Sequence, residues 1–327
     1  MSHLLEVKDL VTVFNAGSKE IKAVSNASFT LNTNETLGIV GESGSGKSAM
    51  VKSLLRLLPL KTAQIKKGHA FYKGEDLLIK SEKEMRKIRG RKMGMIFQDP
   101  MSCLNPTMRV GEQIIEGYRW HYKSTSKKQA YTQAIDYLKR FGLREPELCF
   151  KQYPHQLSGG MCQRMMIASA MMISPDILIA DEPTTALDVT IQIEILRLLK
   201  SVQEESGMGI ILISHDLSVI ANFCTDLVVM YAGEIVESGP VKSIFAGPKH
   251  PYTRSLLNAI PSLDQPHGTQ LGCIPGQPPD LTLKTFGCPF APRCPSYFNA
   301  CDTLTPKLIE VSQNQKVRCL LYEPLTN

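Results

Sequence analysis

The 327 residues are 43% hydrophobic and 21% charged, with a formal net charge of +6. This is the composition of a globular protein, long enough to fold without disulfides or a metal. No run reaches 18 apolar residues, and the N-terminus MSHLLEVKDLVTVF has no basic region followed by an apolar one. Membrane spans and a signal peptide are therefore not expected, and the nine cysteines read as reduced thiols or metal ligands. Lys and Arg are scattered, and the basic tract from Lys80 to Lys92 is broken by Glu82 and Glu84. A solvated face outranks nucleic-acid binding there, with weak attraction to anionic lipid headgroups as the lesser reading.

In chain order, Thr36–Val40 reads as a buried strand and Met50–Leu58 as the helix after it. Met93–Phe97 is a strand candidate, and Ser126–Arg140, Met161–Ile173 and Val189–Val202 have helical spacing. Ile177–Ala180, Ile210–Ile213 and Leu227–Tyr231 read as buried strands. Alternating strands and helices predict a mostly parallel α/β sheet. Near residue 250 the composition shifts: prolines recur, cysteines cluster, and long apolar periodicity ends after Tyr252–Ile260. A boundary is expected there, giving regions 1–248 and 249–327.

Between the first strand and its helix lies Gly41-Glu42-Ser43-Gly44-Ser45-Gly46-Lys47-Ser48, a full match to the phosphate-binding pattern G-x-x-x-x-G-K-S. Its glycines let backbone N–H groups turn inward onto phosphate, and a helix N-terminus adds a positive dipole. Lys47 is expected to neutralise β/γ-phosphate charge and Ser48 to ligate Mg²⁺. Asp181 and Glu182 end an apolar run, where carboxylates are costly without a compensating ion or hydrogen bond. Asp181 suits the Mg²⁺ shell, or alternatively a helix cap, and Glu182 suits polarising an attacking water.

Leu157-Ser158-Gly159-Gly160-Met161 resembles the signature motif of ABC ATPases, and the family's other marks follow it. Gln98 is similar to the Q-loop glutamine, Ala186-Leu187-Asp188 to the D-loop, and His215 to the switch histidine. Phe14 matches the aromatic that stacks on adenine. The resemblance covers roughly residues 4–245. It implies an ABC-type nucleotide-binding domain: a RecA-like core, an N-terminal β-subdomain and a helical subdomain at about 100–170. The wording of the motifs, with His250-Pro251-Tyr252-Thr253, is nearest to the oligopeptide/dipeptide importer branch and its D-type ATPase subunit.

That resemblance implies ATP hydrolysis driving peptide import, with nickel or metal-chelate and antimicrobial-peptide uptake as alternatives. A soluble nucleic-acid ABC ATPase is a remote alternative. It further implies a second, non-identical ATPase, two permease subunits and an extracytoplasmic binding protein, with this chain peripheral on the cytoplasmic face of the cell membrane. Gln98 would join Ser48 and Asp181 at Mg²⁺, and the segment Met101–Gly117 would meet the permeases. Ser158, Gly159 and Gly160 would seal the γ-phosphate held by the opposite ATPase. Asp188 of the D-loop counts among the nucleotide-binding residues. Met161 departs from the glutamine of most members, which puts the activity of the partner's site in question.

Cys288, Cys294, Cys301 and Cys319 cluster in the last region. Their spacing lacks the C-x2-C pairs common in structural zinc sites. The importer resemblance implies a [4Fe–4S] cluster, ahead of zinc and free thiols. Cys103, Cys149, Cys162, Cys224 and Cys273 read as ordinary small apolar residues.

Overall fold

The computed structural model describes residues 3–17, 19–184, 188–259, 274–282 and 286–323. Ala186 and Leu187 of the expected D-loop, Ile260 and Cys273 lie outside the described residues. The chain divides into two compact units, Met1–Ile79 with Ile213–Asn327, and Lys80–Leu212.

The first unit begins with β1 (Leu5–Ala16), β2 (Lys19–Leu31), β3 (Thr36–Val40), α1 (Lys47–Leu54), β4 (Ala63–Tyr72) and β5 (Glu75–Asp76). β1 pairs antiparallel with β2 and with β4, giving a sheet in the order β2-β1-β4-β5. Leu5, Val7, Leu10 and Val13 of β1 are buried, but register shifts between Val7 and Val13 break the strict alternation expected of a half-buried strand. All five residues of β3 are buried, as its unbroken apolar run predicts.

The second unit holds α2 (Glu82–Ile88), β6 (Met93–Ile96), α3 (Pro100–Cys103), α4 (Val110–His121), α5 (Lys127–Arg140), α6 (Pro146–Cys149), α7 (Gly159–Met172), β7 (Ile177–Asp181), α8 (Val189–Ser206) and β8 (Gly209–Ile213). Its strands run in the order β8-β7-β6, with β6 and β7 parallel. Helices α4, α5 and α7 pack together, and Ile114, Ile115, Ala134, Leu138, Met165 and Met166 on them are buried. Ser81 and Ser126 start α2 and α5 with reciprocal capping boxes to Glu84 and Gln129.

The chain completes the first unit with α9 (Leu217–Phe223), β9 (Asp226–Tyr231), β10 (Glu234–Pro240), α10 (Val241–Ala246), α11 (Pro251–Asn258), α12 (Ala300–Thr303), β11 (Leu308–Ser312) and β12 (Gln315–Arg318). Strand order here is β11-β12-β10-β9-β3; β3 and β9 are parallel, and the other pairs are antiparallel. The segment beyond residue 250 thus contributes two strands to the sheet that carries β3, and it falls within the first unit.

Polar contacts fasten that segment. Glu237 on β10 is fully buried and accepts from Lys249 N–H (2.8 Å), His250 N–H (2.9 Å) and Gln315 Nε2 (2.8 Å). His250 is also buried; its Nδ1 accepts from Tyr252 N–H at 3.0 Å and caps α11. Burial lowers its pKa to about 3, so the imidazole is neutral and able to accept. Glu237→Ala would remove the acceptor of three donors, two of them buried, and a loss of about 3 kcal/mol is expected. The check is urea denaturation: the midpoint should fall while the slope stays constant. An unchanged midpoint would remove Glu237 as the anchor.

Candidate functional site

In the first unit the chain leaves β3 and turns sharply before α1. Gly41 has φ +152° and Gly46 has φ +102°. A Cβ on Gly41 would lie 2.2 Å from Met230 O, and one on Gly46 2.1 Å from Ala23 O, so only glycine fits at either position. Ser45 N–H donates to Glu42 O at 3.1 Å, closing the turn, and Gly233 N–H donates to Ser45 O at 3.0 Å. Gly46 caps α1 without any side-chain hydrogen bond, and the first turn contains no acidic residue. The start of the helix therefore keeps its positive end and its N–H groups for an anion.

Lys47 is buried, and its Nζ donates to Gly41 O at 2.7 Å and Glu42 O at 3.0 Å. These contacts hold the ammonium against the loop. Ser48 follows in the same turn of α1, half-buried. Ser45 Oγ is buried with no protein hydrogen-bond partner. A buried hydroxyl left in this way is costly, and a phosphate oxygen would satisfy it. The loop, the open helix end and the lysine thus fit a polyphosphate, the group that the sequence implies. Phe14 is half-buried on β1, opposite Ile21 of β2 and Ala63 of β4. His215 is exposed two residues past β8, just before Asp216, which caps α9.

In the second unit the geometry follows from strand register. Ile96 of β6 lies opposite Ala180 of β7 in the parallel pair. Two residues further along each strand, Gln98 and Glu182 emerge side by side, and Gln98 Nε2 donates to Glu182 Oε2 at 2.8 Å. Asp181, the last residue of β7, is buried, while Glu182 has a positive φ of 49°. That conformation is uncommon for a residue with a Cβ.

Ser158 caps α7, its Oγ accepting from Met161 N–H at 3.2 Å. Ser158 and Gly159 are exposed, and a Cβ on Gly159 would meet nothing within 4 Å, so this helix start is open. One turn into α7, Gln163 Nε2 donates to Pro183 O at 2.5 Å, which ties the signature helix to the residue after Glu182. Asp188 is exposed and caps α8 through Ile191 N–H at 3.0 Å.

Cys288, Cys294, Cys301 and Cys319 line one cavity with Phe290, Phe298 and Leu320. Cys288 N–H donates to Cys301 O at 2.7 Å. Burial, then the neighbouring thiols of Cys319, Cys301 and Cys294, pushes the Cys288 thiol up to about 12. Burial also raises Cys294 and Cys319. As placed, these side chains do not form a single-ion site: among the described residues no group of three or more His, Cys, Asp and Glu could hold one metal ion. Cys149, Cys162 and Cys224 are buried as small apolar residues, whereas Cys103 is exposed.

Two contacts at the cradle have no local signal in the sequence. Arg293 pairs with the Glu42 carboxylate through Nη1 at 2.7 Å and Nη2 at 2.9 Å, and Tyr252 Oη accepts from Glu42 N–H at 2.8 Å. Both partners come from the segment beyond residue 250.

A family model described as ABC transporter matches residues 24–185, and one for the oligopeptide/dipeptide transporter C-terminal region matches residues 236–301. The chain is similar to the oligopeptide transport ATP-binding protein OppD of Bacillus subtilis, 47% identical over 325 residues, covering 99% of this chain and 90% of OppD. It is equally similar to the dipeptide transport ATP-binding protein DppD of that organism, 47% identical over 323 residues, covering 99% and 96%. Its fold is similar to that of a dimeric ATP-binding cassette bound to ADP and Pi in a post-hydrolysis state: TM-score 0.67, 28% identity, 72% of this chain and 98% of the other. With the cradle, the paired Gln98 and Glu182 and the capped signature helix in place, the chain belongs to the ABC transporter ATP-binding proteins, in their oligopeptide/dipeptide branch.

Proposed function

We propose that this ABC-type ATPase drives uptake of peptides through a transporter whose membrane-spanning subunits are separate chains. The peptide reading rests on the likeness to OppD and DppD. Among the described residues no helix is long and apolar enough to cross a membrane, so in this reading permease subunits supply the spans and the chain sits peripherally on the cytoplasmic face. The ATPase domain takes in residues 1–248, with the helical subdomain at about 100–170, and residues 249–327 form the Cys-rich extension. The partners are a second, non-identical ATPase, two permeases and an extracytoplasmic binding protein. Met101 is 43% exposed on the segment assigned to permease contact, an apolar side chain available to a partner.

The observation that carries the mechanism is the Gln98–Glu182 hydrogen bond. Glu182 acts as general base, taking a proton from the attacking water, and Gln98 holds its carboxylate in place. Lys47 and the amides of Gly41, Glu42, Ser43, Gly44, Ser45 and Gly46 bind the phosphates. In this reading Ser48, Asp181 and Gln98 would hold Mg²⁺, which would supply positive charge to the phosphoryl oxygens. His215 positions the water, Phe14 stacks on the base, Ser158, Gly159 and Gly160 close over nucleotide held by the other ATPase, and Asp188 belongs to the nucleotide-binding set. Closure and release of the pair is then a nucleotide-biased two-state switch.

Glu182→Gln keeps the side chain's shape and its bond to Gln98 but removes the base. In the assembled transporter, ATP turnover measured by phosphate release should fall by at least about 100-fold while MgATP binding persists. Unchanged turnover would remove Glu182 from the role.

The four thiols of the extension are assigned to a [4Fe–4S] cluster. Support comes from an all-sulfur donor set lining one cavity, the donor type that such a cluster takes. When bound, the cluster crosslinks a segment with a small apolar core of its own. Protein purified without oxygen should be brown and contain about four iron per chain. Colourless protein carrying zinc would overturn this assignment.

A further inference from the structure

We infer that Arg293 is a positioning residue for the nucleotide site, holding the phosphate cradle through Glu42 and keeping the Glu42 carboxylate from competing for Lys47. The inference rests on residues 41–48 being the cradle. Each polar group of Glu42 is engaged: its N–H by Tyr252 Oη, its carbonyl by Lys47 Nζ and its carboxylate by Arg293. Two of these three partners lie beyond residue 250.

The guanidinium is itself fully directed. Besides its two bonds to Glu42, Nη1 donates to Tyr231 Oη at 3.2 Å, Nε to Pro275 O at 2.7 Å, and Nη2 to Ile274 O at 3.4 Å. The Arg293 side chain is 5% exposed and that of Glu42 25%, so the pair is largely shielded from water. Tyr231, Tyr252 and Phe290 pack behind it with ring centroids 4.6 to 5.4 Å apart. A bidentate pair in such a setting has a fixed direction, unlike a flexible surface ion pair.

Charge explains what the pair is for. Glu42 places a carboxylate one residue from Gly41, in a loop built to hold a polyanion. Lys47 Nζ already touches Glu42 O at 3.0 Å. Without Arg293, the carboxylate would attract that ammonium and repel a triphosphate. With Arg293 in place, the carboxylate is neutralised and Lys47 remains available to phosphate.

The test is equilibrium binding of MgATP to the full-length chain. Arg293→Ala should weaken binding by at least about tenfold, less so at high salt, and Arg293→Lys, which keeps the charge but not the bidentate fork, should weaken it less than Arg293→Ala does. Adding Glu42→Gln to Arg293→Ala should recover most of the lost affinity, because the competing carboxylate is gone; a residue that only supported the fold would show no such rescue. Arg293→Ala binding as tightly as wild type overturns the inference, and so does equal weakness of the single and double variants. Should Arg293→Ala not fold, Arg293→Gln with and without Glu42→Gln makes the same comparison. Wild type that fails to bind MgATP, or Lys47→Ala that binds it normally, instead overturns the reading of the cradle.

Discussion

A backbone that turns where no side chain fits sets the terms for the nucleotide site. Met230 O and Ala23 O crowd the positions of Gly41 and Gly46 so closely that a methyl group at either would overlap a carbonyl. The chain can therefore pass from β3 into α1 only on glycine. Because it does, α1 begins with its N–H groups uncapped by any side chain, Ser45 Oγ is buried without a partner, and Lys47 folds back onto two loop carbonyls. In an ordinary turn each of these would be a defect. Together they form a site whose missing partner is an anion.

The second unit achieves its geometry by register. Parallel pairing of β6 with β7 carries Gln98 to Glu182 without any long-range adjustment, since both lie the same distance past paired residues. A slip of one residue would turn one side chain to the opposite face and break the pair. Gln163 then fastens the signature helix to Pro183, so the start of α7 is tied through a buried amide to the residue after Glu182.

Much of this was readable in the chain. The continuous apolar runs of β3, β7 and β9 leave little ambiguity, and the cradle and signature are local patterns whose chemistry needs adjacent residues. The N-terminal sheet was harder to see, because bulges between Val7 and Val13 scramble the two-residue period of β1. Helix α4 is faint in the sequence: only Val110, Gly111, Ile114 and Ile115 are buried, a short stripe within twelve residues. The Gln98–Glu182 bond has no signal in either segment alone, because register is a property of two strands together. Arg293 carried no signal. It stands between Pro292 and Cys294, among the cysteines, and its partner lies 251 residues earlier.

That last contact changes what the C-terminal extension is. By composition it reads as a separate region poor in periodic apolar residues. In the structure its β12 lies beside β10, Glu237 gathers three of its donors, and Tyr252 and Arg293 grip the cradle directly. A segment with a small core cannot be held by apolar burial alone, and here directed polar bonds in a dry setting supply the remainder. Such bonds depend on angle more steeply than hydrophobic contacts do. Any change that shifts the thiol-lined cavity beside Arg293 would therefore reach Glu42 as a change in hydrogen-bond geometry, whereas an apolar interface of the same size would absorb it. The extension is thus placed to act on nucleotide affinity as well as on stability.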